Sequence, residues 1–262
     1  MDTNTLQEHL ADLPLGKVAF YDVLGSTNTE GMRWAEESAL HLSLVAADEQ
    51  TAGRGRGDRT WQTPPGAALA FSLVIRPEEY REITSSRLTG LGALAVCDVI
   101  QSCYRLPAKI KWPNDVLVGG KKLAGVLVET QWQGDQIQWA VLGIGINVAR
   151  KSVPSQGELD FPATSVETVF GGAVDRWKLL KEVLEALLVR LPQLDQDGFI
   201  GDWEANLAYR GDLVHILRDG AEPESGRIQG LNAAGYLRLK LPSGEEKLIQ
   251  AGDIKLRQVD RN

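Results

Sequence analysis

The spacing of apolar residues changes along this chain, and each change marks an element. KVAFYDVLG, residues 17–25, reads as a short strand. The serine and threonines of STNTEGMRWAEESA, residues 26–39, can cap a following helix that carries Glu30 in its first turn. LSLVAADE, residues 42–49, is a second strand. AALAFSLVIRP, residues 67–77, is apolar enough for a central strand and ends at Pro77. Leu88, Leu91, Ala95 and Val99 share one face of a long helix predicted over Ile83–Tyr104. KIKWPND then runs as a strand into a proline turn. VLV, GG and KKLAGVLVETQW follow as a hairpin with a two-glycine turn, and IQWAVLGIGINV is a further strand.

Trp177, Leu180, Leu184, Leu187 and Leu191 predict another helix, with a shorter one over Phe199–Leu207. Beyond Arg210 the texture becomes short strands (DLVHILR, GRIQGLN, GYLRLKL, EEKLIQ) between polar, glycine-bearing turns, the pattern of a small all-β barrel. The element order predicts an α+β fold whose sheet is mixed or largely antiparallel, over residues 1–208, with a second unit over 209–262.

Composition narrows the function classes. The chain has 262 residues, 43% of them hydrophobic, enough for one large core or a main domain with a small one. A net charge of −7 argues against coating DNA or an anionic membrane, yet leaves room for a local nucleotide site. No apolar run approaches the roughly 20 residues of a membrane span. MDTNTLQEHLADLP has no apolar segment of a secretory signal, so a cytoplasmic location is expected. Cys97 and Cys103 match no redox or metal spacing and read as reduced, buried thiols. His9, His41 and His215 lie far apart, and no H-E-x-x-H exists to suggest zinc.

Against that acidic background, DEQTAGRGRGDRTW, residues 48–61, crowds Arg54, Arg56 and Arg59 onto a flexible backbone. Gly53, Gly55 and Gly57 do not have the Rossmann spacing, and no Walker A pattern occurs. A solvated basic loop is the plain alternative. However, ordering a residue costs about 1–2 kcal/mol of backbone entropy, and an anion pairing several guanidinium forks would offset that. The expectation is a lid, mobile when empty, that closes on an anionic ligand.

Two further clusters fit such a site. KWPND sets Lys111, Asn114 and Asp115 at a strand end. In GKKLAG, Lys121 and Lys122 face opposite sides of a strand, so only one can enter a pocket, and Gly125 leaves its floor open. In GIGIN, Gly143 and Gly145 share a strand face that ends at Asn147.

Together and in this order, G-R-G-R-x-x-R-x-W, K-W-P-N-D, K-L-A-G-V-L-V-E and G-I-G-I-N resemble the biotin protein ligases, from about Phe20 to Asn147 and more weakly beyond. The resemblance implies a catalytic domain with a mixed sheet, like that of class II aminoacyl-tRNA synthetases, and a C-terminal SH3-like barrel. It places Ser26, Thr27, Asn28, Gln50, Gly53, Arg54, Gly55, Arg56, Lys122, Gly125, Gly143 and Gly145 around biotin. It places Arg56, Arg59, Trp61, Lys111, Asn114, Asp115, Lys122, Asn147 and Arg257 around ATP, with Mg²⁺ carried mainly on the phosphates. Arg54, Arg56, Lys122 and Asp115 would be catalytic, Asp115 orienting an incoming lysine amine and helping to remove its proton.

The implied reaction joins biotin to AMP and then to a lysine of a biotin carboxyl carrier domain. A lipoate or octanoate ligase and a non-catalytic biotin-binding regulator are the alternatives. Only about 17 residues precede the first strand, too few for the DNA-binding helix-turn-helix of some relatives, so the single-function form is expected without DNA binding. Asp58 stands where many relatives have a small residue. Strand edges could pair two chains into a homodimer.

Overall fold

The computed structural model describes residues 1–76, 83–154, 161–218, 224–250 and 254–258, with the backbone alone at 197, 218 and 254–258. The first half runs α1 (Thr3–His9), β1 (Val18–Leu24), α2 (Thr27–Glu36), β2 (Ser43–Gln50), β3 (Ala68–Ile75) and α3 (Ser85–Ser102). Four strands follow: β4 (Ala108–Lys111), β5 (Asp115–Val118), β6 (Lys121–Gln133) and β7 (Gln136–Asn147). Then come α4 (Val166–Phe170), α5 (Arg176–Arg190) and α6 (Asp197–Ala205). The chain continues as β8 (Leu213–Arg218), β9 (Glu224–Leu231), β10 (Leu237–Lys240), β11 (Glu246–Ile249) and β12 (Ile254–Gln258).

Strands β1 to β7 form one mixed sheet in the order β1-β2-β3-β7-β6-β5-β4. β1 and β2 are parallel, which requires a crossover, and α2 supplies it. The other neighbours are antiparallel. On one face α2 sets Trp34 and Ala35 against Val45, Val74, Trp139 and Val141. On the other, α3 and α5 cover Phe71, Leu73, Leu142, Ile144 and Ile146. Covered on both sides, β3 is buried at every position, as its unbroken apolar run predicts. α2 leaves the middle of its own face open, and the candidate site lies there.

β8 to β12 form a separate antiparallel sheet in the order β11-β10-β9-β8-β12, the all-β unit expected after Arg210. Its turn at 232–235 docks on α3 and on the turn after β4: Ser86 Oγ and Trp112 Nε1 both donate to the Gly235 carbonyl, at 2.9 and 3.0 Å. Gly235 has φ +81°, and a side chain there would meet the Trp203 ring, so glycine is required twice over.

Three short elements escaped the sequence pattern: α1, α4 and β12. In α1, Asp2 caps the helix and Leu6 is its buried residue, followed by the buried Leu10. Thr3 Oγ1 bonds both backbone groups of Phe20 and so blankets the edge strand β1. The cysteines differ from expectation: both are free, but only Cys97 is buried, while Cys103, the cap residue at the end of α3, is exposed. Among the described residues no helix is long and apolar enough to cross a membrane.

Candidate active site

A single register row crosses all seven strands: Tyr21, Ala47, Ala70, Gly145, Gly125, Asp115, Lys111. Paired residues in a row point to the same face of the sheet. The four central members, two alanines and two glycines, therefore sink a trough into the face beside α2, and charged groups close one end. The next row, Val45, Ser72, Gly143, Leu127, widens it.

The trough does not stay open over its glycines. A Cβ on Gly143 would lie 1.9 Å from Asn28 Oδ1, and one on Gly145 would lie 2.3 Å from the Trp61 ring. The space predicted to let a ligand reach the backbone is thus used first by two side chains, one from α2 and one from the arginine segment. Gly53 lies outside the cavity; a Cβ there would meet the Trp61 carbonyl at 2.2 Å.

Two cavities share this face. The inner one, about 80 Å³, is lined by Ser26, Thr27, Asn28, Gln50, Arg54, Gly55, Arg56, Asn114, Gly125, Gly143 and Gly145, among others. The outer one, about 360 Å³ and so roomier, is lined by Lys111, Asp115, Asn147 and Phe161. Arg59, Thr60, Trp61 and Lys122 line both and form the junction.

Neutral hydrogen-bonding groups dominate the deep end of the inner cavity. Ser26 caps α2. Gln50 Oε1 accepts from the Thr27 N–H at 2.8 Å and Gln50 Nε2 donates to Thr63 Oγ1 at 3.0 Å. Ser72 Oγ lies 2.8 Å from Thr27 Oγ1 and 2.7 Å from Asn28 Oδ1. Asn28 Nδ2 donates to Glu129 Oε2 at 2.9 Å. Ser72 and Glu129 escaped the sequence reading. Glu129 closes the K-L-A-G-V-L-V-E motif, and its alternation with Gly125 and Leu127 was the signal that places it on the site face.

The outer cavity gathers charged groups, Arg59, Lys111 and Lys122 with Asp58 and Asp115. Asp115, buried, pairs with Lys122 at 2.6 Å and faces Lys111 at 3.8 Å. Lys122 lies at its Oδ1 and Lys111 at its Oδ2. Burial alone would raise this carboxyl, but Lys122, Lys111 and Arg59 together hold it below its ordinary range. As the site stands, this carboxylate lies between two ammonium groups, Lys122 and Lys111. Arg56 Nη1 donates to Asn114 Oδ1 at 3.4 Å, and Asn114 is itself tied to the Val126 backbone. Asn147 Nδ2 donates to the Thr164 carbonyl at 3.1 Å, holding in place the segment that supplies Phe161 and Ala163. The Arg257 side chain lies outside the described residues.

The arginine segment folds over both cavities as a small hairpin. Gly55 N–H bonds Arg59 O, Trp61 N–H bonds Gly53 O, and Gly57 has φ +61° at the turn. Arg54 Nη1 pairs with Glu129 Oε1 at 2.9 Å.

Two cavities joined at Arg59, Thr60, Trp61 and Lys122 define a site with room for two ligands side by side. Residues 20–147 match the model of the Biotin/lipoate A/B protein ligase family, and residues 214–257 that of the Biotin protein ligase C terminal domain. The chain is 35% identical to the biotin–(acetyl-CoA-carboxylase) ligase of Paracoccus denitrificans, over 87% of this chain and 96% of that protein. It is 34% identical to the bifunctional ligase/repressor BirA of Bacillus subtilis, over 90% of this chain and 73% of that protein. Biotin protein ligase from Aquifex aeolicus in complex with biotin and ATP superposes with a TM-score of 0.78 at 29% identity, covering 93% of this chain and 99% of that one. The chain belongs to the biotin protein ligase family.

Proposed function

We propose that the inner cavity holds biotin, that the outer one holds ATP, and that the two substrates meet at Lys122. The observation that carries this is a pair of cavities that share Arg59, Thr60, Trp61 and Lys122, the inner one offering the uncharged side chains of Ser26, Thr27, Asn28 and Gln50 and the outer one Lys111 and Asn147. A ureido ring needs donors and acceptors once buried, which Ser26, Thr27, Asn28 and Gln50 offer. A triphosphate needs fixed positive charge. Arg59, Lys111 and Lys122 line the outer cavity against Asp58 and Asp115, and Arg56 reaches Asn114 beside it, so cations outnumber carboxylates there in a chain of net −7.

In the first half-reaction a biotin carboxylate oxygen attacks the α-phosphorus, and the bond to pyrophosphate breaks, leaving biotinyl-5′-AMP. Charge grows on the phosphate oxygens, where a preorganised donor such as Lys122 is worth roughly 3–4 kcal/mol. Asp115 supports this indirectly by holding Lys111 and Lys122 in place before substrate arrives. The hairpin 51–61 shields the anhydride from water. In the second half-reaction the amine of a carrier-domain lysine attacks the carbonyl, AMP leaves, and the amine's proton passes to solvent or phosphate. We assign residues 1–208 to the ligase unit and 209–262 to a unit that buttresses Trp112 beside the site.

The donor set does not fit a resident metal. Of the two carboxylates lining the outer cavity, Asp58 and Asp115, the latter is already paired with Lys122, and no group of three metal-ligating side chains exists among the described residues. Mg²⁺ would arrive on the triphosphate.

The test is to incubate the protein with ATP, Mg²⁺ and a carrier domain, adding biotin or lipoate. Mass gain on the carrier lysine with biotin only is expected. Modification with lipoate only would overturn the assignment of the inner cavity.

A further inference from the structure

The turn at 232–235 turns its donors inward and its carbonyls outward. Asn232 Oδ1 accepts from the Ala234 and Tyr236 N–H groups, at 3.1 and 2.9 Å, and the Asn232 carbonyl accepts from the Gly235 N–H. Three successive carbonyls are left for the rest of the chain. Ala233 O accepts from Arg87 Nε at 2.8 Å, Ala234 O from Thr84 Oγ1 at 3.1 Å, and Gly235 O from both Ser86 and Trp112. Both lone pairs of Gly235 O are thus engaged. Thr84, Ser86 and Arg87 stand at the start of α3, and their bonds serve only to seat the unit. Trp112 differs in its neighbours. It follows Lys111 directly and opens the turn that leads to Asp115, so residues on both sides of that turn line the outer cavity. Its own ring is 2% exposed and joins the core beneath α3, on the far side of the sheet. A buried indole N–H without an acceptor is costly, so the Gly235 carbonyl fixes how the ring can sit, and the turn with it.

We propose that Trp112 is a positioning residue: through the Gly235 carbonyl it holds the turn 112–114, and thereby sets Lys111 and Asp115 in the outer cavity. This rests on the assignment of the outer cavity to ATP. The C-terminal turn then acts on the nucleotide compartment from behind the sheet, through a side chain that lines neither cavity. The neutral groups of the inner cavity are held by α2 and the end of β2, not by the turn that follows β4, so the biotin end is spared.

The test compares Trp112→Phe, which keeps a ring and removes the donor, with Asn232→Ala, which unshapes the acceptor turn from within the C-terminal unit. KM for ATP should rise about fivefold in each, the size set by one lost neutral hydrogen bond, while KM for biotin stays within about twofold. The double variant should go little further than either single one, because both act on one contact. Hydrogen exchange in ligand-free protein reads the coupling without reference to activity. Asn232→Ala should speed exchange of peptide 108–118 about fivefold and leave peptide 27–50 within about twofold of wild type. An ATP KM within about twofold of wild type in Asn232→Ala would overturn the proposal, as would equal rises in both KM values or additive effects in the double variant. Peptide 27–50 accelerated as much as 108–118 would overturn it too, since the whole unit would then have loosened. Should one single variant fail to fold, the other decides alone. Wild-type protein that makes no biotinyl-AMP would instead defeat the functional assignment, and the exchange result would still stand.

Discussion

Gly125 and Gly145 sit opposite each other in one register row, yet adding the same methyl group should have unequal consequences. On Gly145 the new Cβ would lie 2.3 Å from Trp61 Cε2 and 2.5 Å from its Nε1, so the ring and the hairpin carrying it must lift. On Gly125 it would meet the end of the Lys122 side chain at 3.2 Å and the Trp61 ring only at 3.4 Å, contacts that a rotation of the lysine relieves. Fully burying a large apolar side chain is worth about 1.5–3 kcal/mol. Trp61 is half-buried, so Gly145→Ala should weaken hairpin closure by roughly 1–2 kcal/mol, a factor of about 5–30. The assay is release of preformed labelled biotinyl-AMP chased by unlabelled compound. Gly145→Ala should release it about 5–30 times faster than wild type and Gly125→Ala within about threefold, with little change in melting temperature for either because the hairpin, not the core, gives way. Equal release from the two variants, or wild-type release from Gly145→Ala, would refute the idea that Trp61 seals the cavity by packing on the sheet.

The remaining expectations concern stability and reactivity. Gly90→Ala would press a Cβ within 2.5 Å of the buried Trp203 ring; overpacking costs about 1–3 kcal/mol, so thermal unfolding should drop by roughly 2–12 °C. Hydrogen bonds from Arg33, and then from Tyr21 and Trp34, outweigh partial burial and pull Glu30 down to about 2 from 4.5, so its stabilising contribution is present above pH 4.5 and lost as pH falls toward 2. Glu30→Gln should flatten that part of an acid-unfolding profile; an unaltered profile would mean the group contributes nothing. Burial pushes the Cys97 thiol up to about 12, whereas Cys103 is exposed, so a thiol reagent at pH 8 should add one label per chain, mapped to Cys103. Two rapid labels would contradict the burial of Cys97.

Most of the fold was legible because its signals are local. Period-two and unbroken apolar runs mark β1, β2, β3 and β7, and an apolar face at helical spacing marks α3 and α5. What escaped depends on tertiary cover. α1 contributes little more than Leu6 and Leu10 to the core and is held by Asp2 and by Thr3 on the edge of β1, a pairing no window of sequence contains. Cys103 was misjudged for a similar reason. The helical face persists to the end of α3, but the core beneath that end does not.

The site shows where pattern reading reaches its limit. Strict alternation along β6 would put Lys121, Leu123 and Gly125 on one face, sending Lys121 into the trough and Lys122 to the core side. Instead the register slips between Val116/Leu117 on the partner strand, so that Leu123 and Ala124 are both fully buried in the core cluster. One extra residue flips the parity, Lys121 becomes exposed, and Lys122 reaches Asp115 at 2.6 Å. From sequence it follows that only one of the two lysines can enter; which one depends on a bulge that the composition K-K-L-A-G does not announce. Burial resolves it: a leucine beside the cations would cost the core a side chain and leave an apolar wall in the proposed phosphate site, whereas the bulge satisfies both. The placing of Lys122 beside Asp115 thus follows from where a leucine has to go.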